Sequence, residues 1–142
     1  MKFAAEEFQP TKWDTAADKA RFANHFAKFV EGDFREDQFP EWFYQRLSKC
    51  FGHIANYNRG GFFAVFFTTE EGKFRFLQMS VENGCYGDPT FTYSDVERAL
   101  RAWILATGLV DAQRAKVNTE TETRERAQLR DLLAKYPDEV RQ

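Results

Sequence analysis

Histidine and cysteine, the residues that most often bind zinc or act as nucleophiles, are scarce in this chain. Its 142 residues include only two of each. The four residues together form no zinc-binding spacing. Two thiols in a chain of this length are typical of a reducing compartment, although Cys50 and Cys85 could also pair. We therefore predict a protein without a metal site.

Signatures of cofactor binding and catalysis are missing as well. The sequence contains no phosphate-binding P-loop, no glycine-rich dinucleotide turn and no His-Glu-x-x-His motif. Each of these motifs places backbone amides or metal ligands where a particular reaction needs them. Without them, the sequence predicts no cofactor and favours a protein that is not an enzyme.

Long apolar runs and a strong net charge are also missing. No run is long enough to span a bilayer, and the first residues, MKFAAEEFQP, carry acids where a signal peptide needs an apolar stretch. The net charge of −2 creates no general attraction for nucleic acid or anionic membranes. We predict a cytoplasmic protein that does not bind membranes and that folds as a single domain over residues 1–142.

Aromatic residues, by contrast, are abundant: the chain has 16 Phe, 5 Tyr and 3 Trp. Each buried aromatic side chain contributes about 1.5–3 kcal/mol, so a phenylalanine core is stable without disulfides. A domain of this size has limited room for so many rings. Any surplus on the surface would predict a face that binds a partner.

Two N-terminal helices are predicted from apolar residues that recur at helical spacing. The first begins with Asp14 as N-cap and ends at Gly32, and the second begins near Pro40. Their core-facing residues are Phe22, Phe26, Phe29 and Val30 in the first helix, and Phe43, Leu47, Cys50 and Ile54 in the second.

A change of character after two consecutive glycines predicts a central antiparallel β-hairpin. Residues 62–69 are a short apolar run of strand-forming residues, and residues 73–82 follow a turn as the second strand. The apolar positions change parity at Phe76 and Leu77, which predicts a β-bulge. Residues 91–93 are a candidate third strand.

Two C-terminal helices complete the predicted fold. Ser94 and Glu97 have the spacing of a capping box ahead of an apolar stripe, and a second stripe covers residues 127–136. Between them, residues 111–126 are dense in Thr, Glu and Arg, which predicts a solvated helix face or a projecting segment. The predicted fold class is therefore α+β, with helices packed on a small sheet.

The segment from Trp42 to Arg59 concentrates cationic, aromatic and amide side chains, and no acid lies between Arg46 and Phe67. Because Tyr, Trp and Arg are enriched at protein interfaces, we predict that it is a binding strip. Cations and aromatic rings also suit phosphate contacts and base stacking. The structural alternative is that its amides and glycines shape a turn. The candidate binding residues are Trp42, Tyr44, Arg46, Lys49, His53, Asn56, Tyr57, Asn58 and Arg59.

A small hydrolase or transferase is a further hypothesis. Cys50 and His53 lie about one helical turn apart and could form a nucleophilic pair, with Asn56 orienting the imidazole. Cys50 also belongs to the predicted buried stripe of the second helix, which favours a structural role for its thiol.

The sequence therefore predicts a non-enzymatic protein-binding accessory module, such as an inhibitor or an adaptor. In its small size and lack of catalytic motifs it is similar to accessory proteins carried by phages and plasmids, including anti-CRISPR inhibitors of host defence. No residue role follows from that similarity. The expected partner is another protein, nucleic acid is the alternative, and a homodimer is compatible with the sequence.

Overall fold

The computed structural model describes residues 2–51, 57–82 and 93–137, and these residues form helices and connecting segments without any strand. Short 3-10 turns at Ala5–Glu7 and Glu36–Gln38 precede the first two α-helices. The predicted α+β class is wrong, since the described ranges contain neither a hairpin nor a sheet. The α-helices are α1 (Ala16–Glu31), α2 (Glu41–Cys50), α3 (Arg59–Phe66), α4 (Glu70–Glu82), α5 (Ser94–Ala106) and α6 (Leu109–Lys135).

The first predicted strand, residues 62–69, is instead mostly α3. The exposed pair Ala64 and Val65 lies between two pairs of buried residues, which is helical spacing. A short apolar run cannot distinguish a strand from a buried helix by periodicity alone. The start of the helix was misread as a turn: the Asn58 side chain accepts a hydrogen bond from the Gly61 N–H at 2.6 Å. The buried residues are Phe62, Phe63, Phe66 and Phe67.

The second predicted strand, residues 73–82, lies in α4. The Thr69 hydroxyl accepts a hydrogen bond from the Gly72 N–H at 3.0 Å and so caps this helix. The change of parity of the apolar positions at Phe76 and Leu77, which predicted a bulge, arises because apolar residues on one face of a helix recur every three or four positions. Of the candidate third strand, only Tyr93 is described, and it is the N-cap of α5 in place of the predicted Ser94. The buried side chains of the stripe are Lys73, Phe76, Leu77 and Ser80.

Gly72 allows α4 to pack closely against the end of α3. A Cβ atom at this position would lie 2.9 Å from the carbonyl oxygen of Val65 and 2.8 Å from that of Phe66. Backbone oxygens cannot swing aside as the end of a flexible side chain can, and the interior has no spare volume. Gly72, which lies in the predicted hairpin turn, is therefore the position where two helices come into close contact.

The two predicted N-terminal helices are confirmed. α1 begins one residue later than predicted, since Thr15 rather than Asp14 is the N-cap, and Asp18 completes a capping box. Ile54 lies outside the described residues. The predicted core-facing residues that are described are all buried, namely Phe22, Phe26, Phe29 and Val30 in α1 and Phe43, Leu47 and Cys50 in α2.

α1 lies at the centre of a core made largely of phenylalanine rings. The ring centroid of Phe26 is 6.1 Å from those of Phe51 and Phe76, and 6.5 Å from that of Phe43. Most of the 16 phenylalanines are buried. The surplus of surface aromatics is therefore small, and the exposed aromatic residues among those described are Trp13, Tyr57 and Tyr136.

α6 is the longest helix, and its first part attaches it to the domain. It follows Gly108, whose left-handed φ of 67° turns the chain after α5. Its main neighbour is α4, and α5 contributes less. The Gln113 amide donates a hydrogen bond to the backbone carbonyl of Glu70 at 3.0 Å, and Lys116 Nζ lies 3.8 Å from Asp33 Oδ1.

The rest of α6 extends away from these contacts. The 27 residues of the helix span about 40 Å at a rise of ~1.5 Å per residue. Residues 121–135, which we call the α6 arm, are exposed except for the half-buried Thr121, Ala127 and Leu133. The segment predicted to be solvated or projecting, residues 111–126, is thus the middle of one continuous helix.

Candidate functional site

Two cations of the predicted binding strip are paired with a buried carboxylate. Asp14 is only 3% exposed. Arg46 Nε lies 3.3 Å from its Oδ1, and Lys49 Nζ lies 3.5 Å from its Oδ2. The single carboxylate offsets one of these two positive charges and contacts both side chains, which weakens the charge offered to a phosphate backbone. The described part of the strip is therefore not a continuous cationic surface.

The aromatic and amide residues of the strip make contacts inside the fold. Tyr44 is buried, and its hydroxyl donates a hydrogen bond to the carbonyl of Tyr57. Asn58 caps α3, and Arg59 Nη1 donates to the carbonyl of Phe39 at 3.2 Å. Tyr57 as a whole residue is 41% exposed. These contacts fit the structural alternative, in which the segment shapes the chain ahead of α3.

The nucleophile hypothesis is not favoured by the position of Cys50. Its side chain is 0% exposed at the end of α2, where it packs in the core. Reactive cysteines are at least partly accessible, because a substrate must reach the sulfur. His53, Asn56 and Cys85 lie outside the described residues.

Trp42, the remaining member of the strip, belongs to an open groove along the exposed face of α1. The groove has a volume of about 640 Å³. The surface offered to a ligand is mainly apolar, and the buried residues Phe3 and Ala20 are part of its lining. We call it the Trp42 groove, and it is lined by Phe3, Ala5, Ala17, Ala20, Arg21, Asn24, His25, Lys28 and Trp42.

The groove exists because α1 presents small residues between two larger walls. Ala17, Ala20 and Asn24 recur at helical spacing opposite the phenylalanine stripe. On one side, the Asn24 amide fixes the N-terminal segment to α1: it accepts a hydrogen bond from the Phe3 N–H and donates one to the Phe3 carbonyl, both at 2.9 Å. On the other side stands Trp42 from α2.

The Trp42 wall is held by two ring contacts. The Arg21 guanidinium carbon lies 4.2 Å from the centroid of the indole, and the His25 ring lies edge-on at 5.0 Å. His25 Nε2 is 2.7 Å from the Gln38 carbonyl oxygen, which assigns the proton to that nitrogen. Burial lowers the pKa of His25, the hydrogen bond opposes this, and the charges of Lys28 and Arg21 lower it further. The cations of the groove are thus Arg21 and Lys28.

An ion pair near the start of α1 has a structural role. Lys19 is 2% exposed, and its Nζ lies 3.0 Å from Asp95 Oδ1 and 5.4 Å from the centroid of the Tyr93 ring. Burial alone would raise the pKa of Asp95, but hydrogen bonds from the Gln9 N–H and the Lys19 ammonium outweigh it, so the pKa is lowered. These contacts join α1, α5 and the N-terminal segment.

The described chain is thus a small helical domain with an open, cation-rimmed apolar groove and a long helical arm. No family model, curated protein or solved structure matches it. Among the described helices, none has the length and apolar character needed to cross a membrane.

Proposed function

We propose that this protein is a non-enzymatic protein-binding module whose Trp42 groove receives an amphipathic helix from its partner. The observation that carries the proposal is an open apolar trough of about 640 Å³ with Arg21 and Lys28 among its lining residues. Grooves of this kind bind helices through apolar side chains that recur about once per turn. Acidic residues beside those side chains would complement the two cations. Such a module acts by binding its partner and not by catalysis, as inhibitors and adaptors do.

The chemistry of the groove favours a protein over the other ligand classes. Affinity for nucleic acid comes mainly from many phosphate contacts, and an apolar trough with Arg21 and Lys28 at its rim supplies few of them. Sites for small molecules enclose most of the ligand surface, whereas this groove is open along α1. An extended apolar face of a protein helix fits both the shape and the charge.

The proposal is tested by photocrosslinking in cells that produce the full chain. A benzophenone amino acid replaces Ala17, an exposed residue that lines the groove. The matched control replaces Ala64, an equally small and exposed residue on α3. A second version of the Ala17 probe also carries Lys28→Glu, which reverses one charge of the rim.

We expect the Ala17 probe to capture a discrete protein that the Ala64 probe does not capture, and Lys28→Glu to reduce that product several-fold. Mass spectrometry of the crosslinked peptides then identifies the segment that lies in the groove. Crosslinks to nucleic acid, or the same background at both positions, would overturn the proposal.

A further inference from the structure

We propose that the α6 arm of a second copy of this chain occupies the Trp42 groove. This inference rests on the proposed function, because it names an occupant for the same groove. A foreign partner helix would then compete with the arm for one site.

The tip of the arm carries the apolar row that such a groove requires. Leu132 and Leu133 share one face of α6 with Leu129 because they follow it by three and four residues, and Tyr136 follows directly after the helix. Leu129 and Leu132 are 54% and 55% exposed, and Tyr136 is 50% exposed. Rows with this spacing are the anchors of helices that bind in grooves.

Two carboxylates on the face of this row have the charge that complements the cations of the groove. Glu122 and Glu125 precede Leu129 by about two turns and one turn, so they continue the same face. On α1, Arg21 and Lys28 are about two turns apart, which is a wider spacing than that of the two glutamates. An arm lying along the groove would bring these carboxylates to one part of the rim while its leucines cover the apolar lining. The exposed pair of Glu122 with Arg126 within the arm is worth too little to prevent this.

The arm cannot occupy the groove of its own chain as α6 stands. α6 contains no glycine or proline between Leu109 and Lys135, so it has no position that favours a sharp bend. Its first turns are fixed on α4 and α5, whereas the groove is built from α1, α2 and the N-terminal segment. The occupant must therefore come from another molecule.

A reciprocal exchange gives this contact enough surface. A single short helix in a groove buries less than the ~1,200 Å² that stable interfaces reach. When each copy donates an arm and receives one, the buried area doubles and the assembly closes with twofold symmetry. The chain thereby covers both its apolar patch and its groove.

The first test measures the oligomeric state of the full chain by sedimentation velocity over a wide concentration range. We expect a reversible dimer that Leu132→Asp weakens at least about tenfold, because a carboxylate would meet the apolar lining. The matched control is Leu105→Asp on α5, since Leu105 is also exposed, at 60%, but lies outside the arm. It should leave the dimer unchanged. Circular dichroism checks that both variants remain helical.

The second test mixes two charge-reversed chains. A groove variant, Arg21→Glu with Lys28→Glu, and an arm variant, Glu122→Lys with Glu125→Lys, each place like charges at both contacts of their own dimer. In the mixed dimer both contacts regain opposite charges. We expect each variant alone to dimerise poorly, the mixture to recover dimer, and high salt to weaken that recovery.

A benzophenone amino acid at position 132 shows which residues the arm contacts, and a mixture of isotopically light and heavy chains distinguishes contacts between two copies from contacts within one. Mixed-isotope crosslinks to residues 17–28 support the exchange. A monomer at every concentration, a dimer unaffected by Leu132→Asp, or crosslinks joining two arms would overturn it. These results leave the proposed function intact if the Ala17 probe captures a foreign protein, so the two proposals fail separately.

Discussion

In the body of the molecule, helices α1 to α5 bury phenylalanine rings against one another, whereas the α6 arm is a helix with almost no tertiary contact. Each buried ring of the body contributes about 1.5–3 kcal/mol. The arm depends on its backbone hydrogen bonds and on pairs such as Glu122 with Arg126, each worth about 0.2–0.5 kcal/mol. The comparison shows how one chain can combine a rigid scaffold with an unburied apolar row, which is a face available for binding.

The largest difference is expected between two apolar truncations. Phe26→Ala should lower the free energy of unfolding by about 3–5 kcal/mol, because it leaves a cavity among Phe43, Phe51 and Phe76. Leu132→Ala should change it by less than about 0.5 kcal/mol, since the side chain is 55% exposed. Urea denaturation at low protein concentration, where arm exchange does not contribute, measures both. A cost for Leu132→Ala near that of Phe26→Ala would show that the arm packs on the body.

The next effect compares a buried ion pair with an exposed one. Lys19→Met should cost about 3 kcal/mol, because it leaves the Asp95 carboxylate partly buried without its cation. Lys116→Met removes the pair with Asp33 at 3.8 Å, whose side chains are both about half exposed, and should cost less than about 1 kcal/mol. Equal costs for the two variants would contradict the structural role of Lys19.

A smaller difference in stability is expected between alanine substitutions at two glycines, Gly72 and Gly60. Gly72→Ala should destabilise the body by about 1–3 kcal/mol, because the new methyl group meets two backbone oxygens. Gly60→Ala should be neutral or stabilise by up to about 1 kcal/mol, since a Cβ there meets only the end of the Asn58 side chain at 3.9 Å. Thermal unfolding of the pair measures the difference, and a stabilising Gly72→Ala would rule out the close contact of α3 and α4.

The smallest expected effect is a change in how stability depends on pH, and it comes from His25 in the Trp42 groove. Because the pKa of His25 is lowered in the folded state, the unfolded chain binds the proton more readily. The stability from neutral His25 is complete above its unfolded pKa of about 6.5 and is lost as the pH falls towards the folded pKa. His25→Gln should therefore lose less stability than the wild type between about pH 7 and 5. Parallel pH curves for the two proteins would contradict this.

Periodicity predicted the helices that have one apolar face and failed for those that do not. α1, α2 and α5 combine a stripe with a start signal, so their sequence alone locates their first residues within a residue or so, whereas α2 ends at Cys50, before the predicted stripe does. α3 is so rich in phenylalanine that only Ala64 and Val65 reveal its period. Asn58 and Gly72 were assigned to turns because an N-cap, a close contact and a turn all use the same residue types.

The groove could not be predicted, because it joins parts of the sequence that only the tertiary structure brings together. Phe3 and Trp42 form its walls, yet Phe3 reads as an ordinary aromatic residue in its own segment, and Trp42 was a candidate only as part of the 42–59 strip. The small residues Ala17 and Ala20 of α1 drew no prediction, because a face of small residues does not reveal what flanks it. Conversely, the absence of acids near Arg46 and Lys49 suggested a cationic strip, since Asp14 is remote in the sequence and close in space.

The central position of α1 has a consequence for how the protein is made. Rings at the heart of its stripe contact residues that are translated much later: Phe22 lies 5.9 Å from Tyr93, and Phe26 lies 6.4 Å from Trp103. A ribosome that has released only α1 to α4 therefore holds a nascent chain with unsheltered phenylalanines, which is a substrate for chaperones and prone to aggregate. The emergence of α5 is the step at which this polypeptide becomes able to complete its fold.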